Sequence, residues 1–219
     1  MKKFILLLLV VILPFTAIAC SEGAEDLVSY KATAYLIGSS ERFNLTVISG
    51  TRESPYLMDG ERGDMVEFCT ITLKPASGDV IQDSCTYEVY VGEDKYTGSL
   101  NKDTFGTTMS GDIGVDIGED LTSVKIKIGE ESEDIMLENM MANALISGED
   151  AIEIARNALS DTLANLPEGD KREIYLKFVS DVTGRESVYY WYVAYVGEGG
   201  KYSAVLIDIV SGDIIAKRG

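Results

Sequence analysis

Histidine is absent from all 219 residues. That removes the commonest metal ligand and the usual proton-transfer group near neutral pH. What remains for chemistry is carboxylate, thiol and hydroxyl. The sequence holds 36 Asp+Glu against 19 Lys+Arg, a net charge of −17, and three cysteines at 20, 69 and 85. A field of that sign repels nucleic acid phosphates and anionic lipid headgroups, so no nucleic acid partner is expected. Acidic clusters at Asp112, Asp116, Glu119 and Asp120 and at Glu130, Glu131, Glu133 and Asp134 invite a calcium reading. They lack the twelve-residue loop with ligands at alternate positions, and a solvated acidic rim is the expectation. No metal and no cofactor is expected.

Ser99-Leu100-Asn101-Lys102 matches the Ser-x-x-Lys element of penicillin-binding enzymes. That element needs its serine at a helix start and two partner motifs, and here it sits in a β-rich stretch without them. With no nucleophile elbow, phosphate loop or paired-carboxylate motif either, the chain is expected not to be an enzyme, with no catalytic residues.

The N-terminus supplies an address. Met1-Lys2-Lys3 is basic, residues 4–15 are apolar, and Ala17-Ile18-Ala19 closes the segment with small residues. This is the three-part pattern of a secretory signal over 1–19, too short in its apolar run for a comfortable membrane span. Cys20 after Ala19 resembles a bacterial lipobox, with Ala17 where leucine is more usual. The resemblance implies lipidation of Cys20 and a lipid-anchored linker over 20–26. The chain would then lie outside the cytoplasm at a cell membrane or outer membrane. Buried acyl methylenes give such an anchor about 0.8 kcal/mol each. Ordinary cleavage at the same bond would leave Cys20 unmodified.

With Cys20 set aside, Cys69 and Cys85 remain as a pair. Residues 64–91 read as two strands about the turn Pro75-Ala76-Ser77-Gly78-Asp79. Centring that hairpin on Ser77 puts Leu73 opposite Ile81 and Cys69 opposite Cys85, within disulfide reach. The alternative is two reduced, half-buried thiols.

From 27 to 139 short alternating runs are broken by Gly, Asp, Asn and Ser, which predicts an antiparallel, immunoglobulin-like β-sandwich. Residues 112–117 and 122–128 are expected to pair, with Asp112 opposite Lys127 on the wet face. After Asn143 the apolar period changes to about 3.6. Ser147 can cap a helix with Asp150 three residues on, and Ile152, Ala155, Leu159, Leu163 and Leu166 form one stripe. Strands are expected at 173–182, 188–196, 201–209 and 213–216. The fold class is therefore mainly β with an α+β part.

Ile146-Ser147 with Ala151-Ile152 and Ala155, together with Val205-x-Ile207-Asp208-x-x-x-Gly212-x-Ile214-Ile215, resemble the PepSY family over 146–219. Ile207 and Ser211 stand where Val and Thr are usual. The resemblance implies a helix lying on a small antiparallel sheet, and a non-enzymatic domain of the kind found in protease propeptides and envelope proteins. With no protease domain after residue 219, the envelope context is the expected one. The function it implies is binding or restraining a peptidase or other envelope protein. The alternative is a ligand-binding or structural module acting through the sandwich. In the closing hairpin, Asp208 should accept turn N–H groups and Gly212 should take a positive φ.

The aromatic run 188–196 completes the reading. If Gly197-Glu198-Gly199-Gly200 is the turn, Val196 pairs with Lys201 and Tyr190 with Ile207. Tyr189, Trp191 and Tyr195, with Tyr202 and Leu206, then form an apolar outer face, either a partner surface or a contact with the chain's own sandwich. A register slip of one residue would exchange the faces.

Overall fold

The computed structural model describes residues 26–77, 84–104, 107–118, 121–166, 172–181 and 187–219. The secretory segment, Cys20 and the linker up to residue 25 lie outside these, as do Gly78, Asp79, Ile81, Glu119 and Asp120.

Period-two alternation folds as the sequence demands. In β2 (Phe43–Ser54) Phe43, Leu45 and Val47 are buried while Asn44, Thr46 and Ile48 are not. Its long neighbours are β1 (Asp26–Ser39) and β3 (Asp64–Pro75). Five further strands follow: β4 (Cys85–Val91), β5 (Asp94–Lys102), β6 (Met109–Ile113), β7 (Ser123–Ile128) and β8 (Glu131–Met136). The two-residue β9 (Glu138–Asn139) pairs with β1. Beyond a 3-10 turn at Met140–Asn143 come α1 (Gly148–Ala158) and α2 (Ser160–Ala164). The chain closes with β10 (Arg172–Ser180), β11 (Tyr189–Val196), β12 (Tyr202–Asp208) and β13 (Ile214–Arg218).

Among the described residues the strands join in one hydrogen-bonded path, β13-β12-β11-β10-β1-β2-β3-β6-β5-β4-β7-β8. The chain is thus mainly β with a helical layer on part of it. β1 pairs in parallel with β10 and antiparallel with β2, so the ladder runs across the expected boundary between the two halves. In the first half, inward side chains of β1, β2 and β3 share one core with Tyr87, Val89, Val124, Ile126 and Ile135 from the far strands. The sheet therefore curls back on itself. A Cβ on Gly38 of β1 would come within 2.4 Å of the Met136 carbonyl of β8.

Two expected pairings are corrected. β3 is not hairpin-paired with β4: Cys69 lies opposite Ser49 and Ile113, and Cys85 opposite Leu100 and Ile128. Both are free thiols buried in the first core, not a cross-strand disulfide. Nor does β6 pair with β7. Asp112 lies opposite Thr70 and reaches Arg52 at 3.5 Å, while Lys127 lies opposite Thr86 and Ser132. Alternation decides which face of a strand is buried, and it leaves the neighbour unspecified.

The second half follows the helical period. Ser147 Oγ accepts from Asp150 N at 3.1 Å and Asp150 Oδ2 accepts from Ser147 N at 3.3 Å, a reciprocal capping box of a kind worth about 1 kcal/mol. Ala151, Ala155, Leu159 and Leu163 are buried against Val205, Ile207 and Trp191. Alanines at the closest approach let the helix settle on the strands. Asp208 accepts from Val210 N at 2.9 Å and Ser211 N at 2.8 Å, and these amides hold its carboxyl below the usual range. Gly212 takes φ 75°, and the Ile209 carbonyl accepts from Leu145 N and Ile146 N at 2.9 Å each. The closing hairpin is thereby tied to the chain entering the helix.

Candidate functional site

The connection between β11 and β12 decides which aromatic residues face outward. Gly197 N donates to Lys201 O at 2.8 Å, enclosing a short 3-10 turn with Gly199 and Gly200 at φ 71° and 72°. Lys201 therefore belongs to the loop, and Val196 pairs with Tyr202 instead. The register is one residue from the expected one, and the faces exchange.

Trp191 now lies opposite Ile207 under the helix, 2% exposed, with Nε1 donating to Ile146 O at 2.8 Å. Tyr195 is buried beside it and donates to Ile152 O at 3.2 Å. Tyr189 stacks on Phe178 with centroids 5.5 Å apart. Trp191 and Tyr195 are core residues, Tyr189 packs half-buried against the same core, and the three do not form the expected outer face. Tyr202 and Leu206 do face outward, joined by Tyr192, which lies opposite Leu206.

An aromatic outer face thus exists with a different membership. Tyr175, Ala194, Val196 and Ala204 form its buried floor, and Tyr30, Tyr192 and Tyr202 stand half-buried around them. Cations are laid over the rings. Lys177 Nζ is 5.1 Å from the Tyr30 centroid and 5.4 Å from that of Tyr56. The Arg52 guanidinium lies 4.7 Å from Phe68, and that of Arg218 4.2 Å from Tyr202. Such placements are attractive because the ring face is electron-rich. Desolvation pushes the Tyr30 hydroxyl up to about 12. The face runs out to β13, the edge strand of the path, where Ile214 and Ile215 are 47% and 48% exposed.

A strap over residues 55–63 covers one end of this face and is held from below by a carboxylate pair. Glu53 and Glu173 are 1% and 0% exposed. Glu173 accepts from Ser29 Oγ at 2.8 Å and from Gly60 N at 2.7 Å. Glu53 accepts from Gly63 N at 3.1 Å, Leu57 N at 3.2 Å and the Tyr175 hydroxyl. Burial, opposed by the Ser29 and Gly60 bonds and reinforced by Glu53, holds the Glu173 carboxyl above the usual range. Burial and the bond to Glu53 raise the Tyr175 hydroxyl as well. All four carboxyl oxygens are engaged by the protein itself, so the pair pins the strap and presents no free oxygen to a substrate. Gly60 packs against the β11–β12 loop so closely that a Cβ there would lie 2.5 Å from Gly197 C and O. No sequence motif announces this cluster, since its members are far apart in the chain.

The remaining sequence candidates fall outside the face. Ser99 and Lys102 lie on β5, where a strand points residues three apart to opposite sides. Among the described residues no group of three His, Cys, Asp or Glu could hold a metal ion. Among the same residues no helix is long and apolar enough to cross a membrane.

No family model matches the chain, and no curated protein matches it. Among solved structures it is similar to the YpmB protein from Bacillus subtilis at 21% identity, over 64% of this chain and 88% of that one, with a TM-score of 0.21. A correspondence that loose carries no argument about fold or function.

Proposed function

We propose that this is a non-catalytic, lipid-anchored cell-envelope protein whose PepSY-like C-terminal third, next to an immunoglobulin-like sandwich, binds or restrains a peptidase or other envelope protein. The observation that carries the reading is the outer face of β10–β12. It is aromatic, laced with cations inside a chain of net charge −17, half open, and continuous with the uncovered edge strand β13. Tyrosine and arginine are enriched at the centres of protein interfaces. An open edge offers backbone donors and acceptors to an extended segment of a partner. The helix-on-sheet packing of Ala155 and Leu159 against Val205 and Ile207 accords with the family resemblance of 146–219.

Site-specific photo-cross-linking in intact envelopes tests the binding surface. A cross-linker at position 192 should trap a defined protein that one at position 86, on β4 in the other half, does not. If that protein is a peptidase, purified wild type should slow it, and Tyr192→Ala combined with Lys177→Gln should not. Identical products from both positions would remove the basis for the reading. Incorporation of labelled lipid that disappears in Cys20→Ala tests the anchor separately.

A further inference from the structure

A hollow of about 470 Å³ opens on the helix-covered side of the sheet, between α2, the start of β10 and the β11–β12 loop. That volume lies in the range of small-ligand sites. Leu163, Leu166, Tyr195 and Tyr202 supply an apolar wall, and Arg172 and Lys201 bring two positive charges to it. Glu198 also lines the hollow and has contacts of its own within the protein.

The two cations have no carboxylate partner among the described residues, although the chain carries 36 acidic groups. Arg172 is held in place: Nη2 donates to Leu163 O at 2.8 Å. Its Nε–H is shielded from solvent and has no acceptor among the described residues. A guanidinium stays charged at any ordinary pH, and a buried donor without an acceptor is costly. An oriented, half-satisfied arginine beside a lysine and an apolar wall fits one chemistry: a carboxylate carried by an apolar group.

We propose that this hollow binds a carboxylate attached to a leucine-sized apolar group, as at the C-terminal residue of a peptide or the head of a short fatty acid. The carboxylate pairs with the Arg172 guanidinium where it lines the hollow and with the Lys201 ammonium, and the apolar group lies against Leu163, Leu166 and Tyr195. The site shares Tyr202 with the outer aromatic face but does not depend on the function assigned to that face.

The test is a titration of the ¹⁵N-labelled full chain in detergent with three probes: acetyl-Ala-Leu as the free acid, the same dipeptide as its C-terminal amide, and hexanoate. The free acid should shift the amide signals of Gly197, Gly199 and Ser203, and the amide form should not. Lys201→Gln, at an exposed position, should weaken the acid by about tenfold or more with unchanged thermal unfolding, and Arg172→Gln by at least as much. Tighter binding of the peptide than of hexanoate assigns the source to a chain end; the reverse assigns it to a fatty acid. The proposal is overturned if neither acid moves these signals by about 10 mM, the weak end of specific binding. Equal binding of the amide form, or undiminished binding by Lys201→Gln, would overturn it too.

Discussion

Trp191 stands directly opposite Ile207 across the β11–β12 ladder, so the single tryptophan of the chain is a core residue under the helix. Trp191→Ala should therefore cost about 3–5 kcal/mol, the range for emptying a buried aromatic site. Tyr192→Ala, on the half-open face, should cost much less. Urea unfolding of both variants checks this, and equal small losses would contradict the observed register.

Glu173 gives a pH dependence of defined sign. Its carboxyl is raised in the folded chain by burial, so the folded state holds the proton more tightly than the unfolded one. Its contribution is fully present below about pH 4.3, where an unfolded glutamate titrates. It is lost as pH rises through the folded value. Asp208 has the opposite sign: its lowered carboxyl contributes above the unfolded value and is lost on acidification. The difference between wild type and Glu173→Gln isolates the first effect. The variant should gain stability relative to wild type as pH rises, and parallel stability curves would refute the assignment.

The two thiols should be inert in the folded protein. Burial, with Asp112 and Asp116 adding to it, pushes Cys69 up to about 12, and burial alone pushes Cys85 up to about 11. Ellman's reagent should find neither at neutral pH until denaturant is added, and then both without reductant. Zero thiols at 69 and 85 after denaturation would count against the free, unpaired state.

The strap should loosen when its closest approach is disturbed. Gly60 sits at φ 91° with the backbone of Gly197 and Glu198 where a side chain would begin. Gly60→Ala should speed proteolytic cleavage within 55–63 while leaving the two large cores intact. Glu53→Ala should do the same and cost about 1–3 kcal/mol, because Tyr175 and the strap amides lose a buried acceptor. Unchanged cleavage in both variants would mean that the pair does not hold the strap.

What could be read in advance follows from the range of each interaction. Local features were legible. The Ser147–Asp150 box, the stripe from Ala155 to Leu163, the Asp208 turn and the positive φ of Gly212 each depend on residues a few positions apart. Pairing between distant strands was not. Cys69 and Cys85 sit in one core but on strands with different neighbours, and alternation alone could not choose Ile113 over a hairpin partner. The aromatic face failed by one residue, because Lys201 joined the loop and moved Trp191 and Tyr195 inward. Glu53, Glu173 and Tyr175 come together across more than a hundred positions, and each looked like an ordinary strand residue.

The parallel pairing of β1 with β10 has a mechanical consequence. β1 is the first described strand, and it is flanked by β10 on one side and β2 on the other. A force drawn along the chain at its leading end would act down the axis of β1, shearing the perpendicular bonds to β2 and the slanted ones to β10. Those bonds would share the load and have to yield together, since no single pair could be unzipped first. A domain hung by that end would resist being tugged apart.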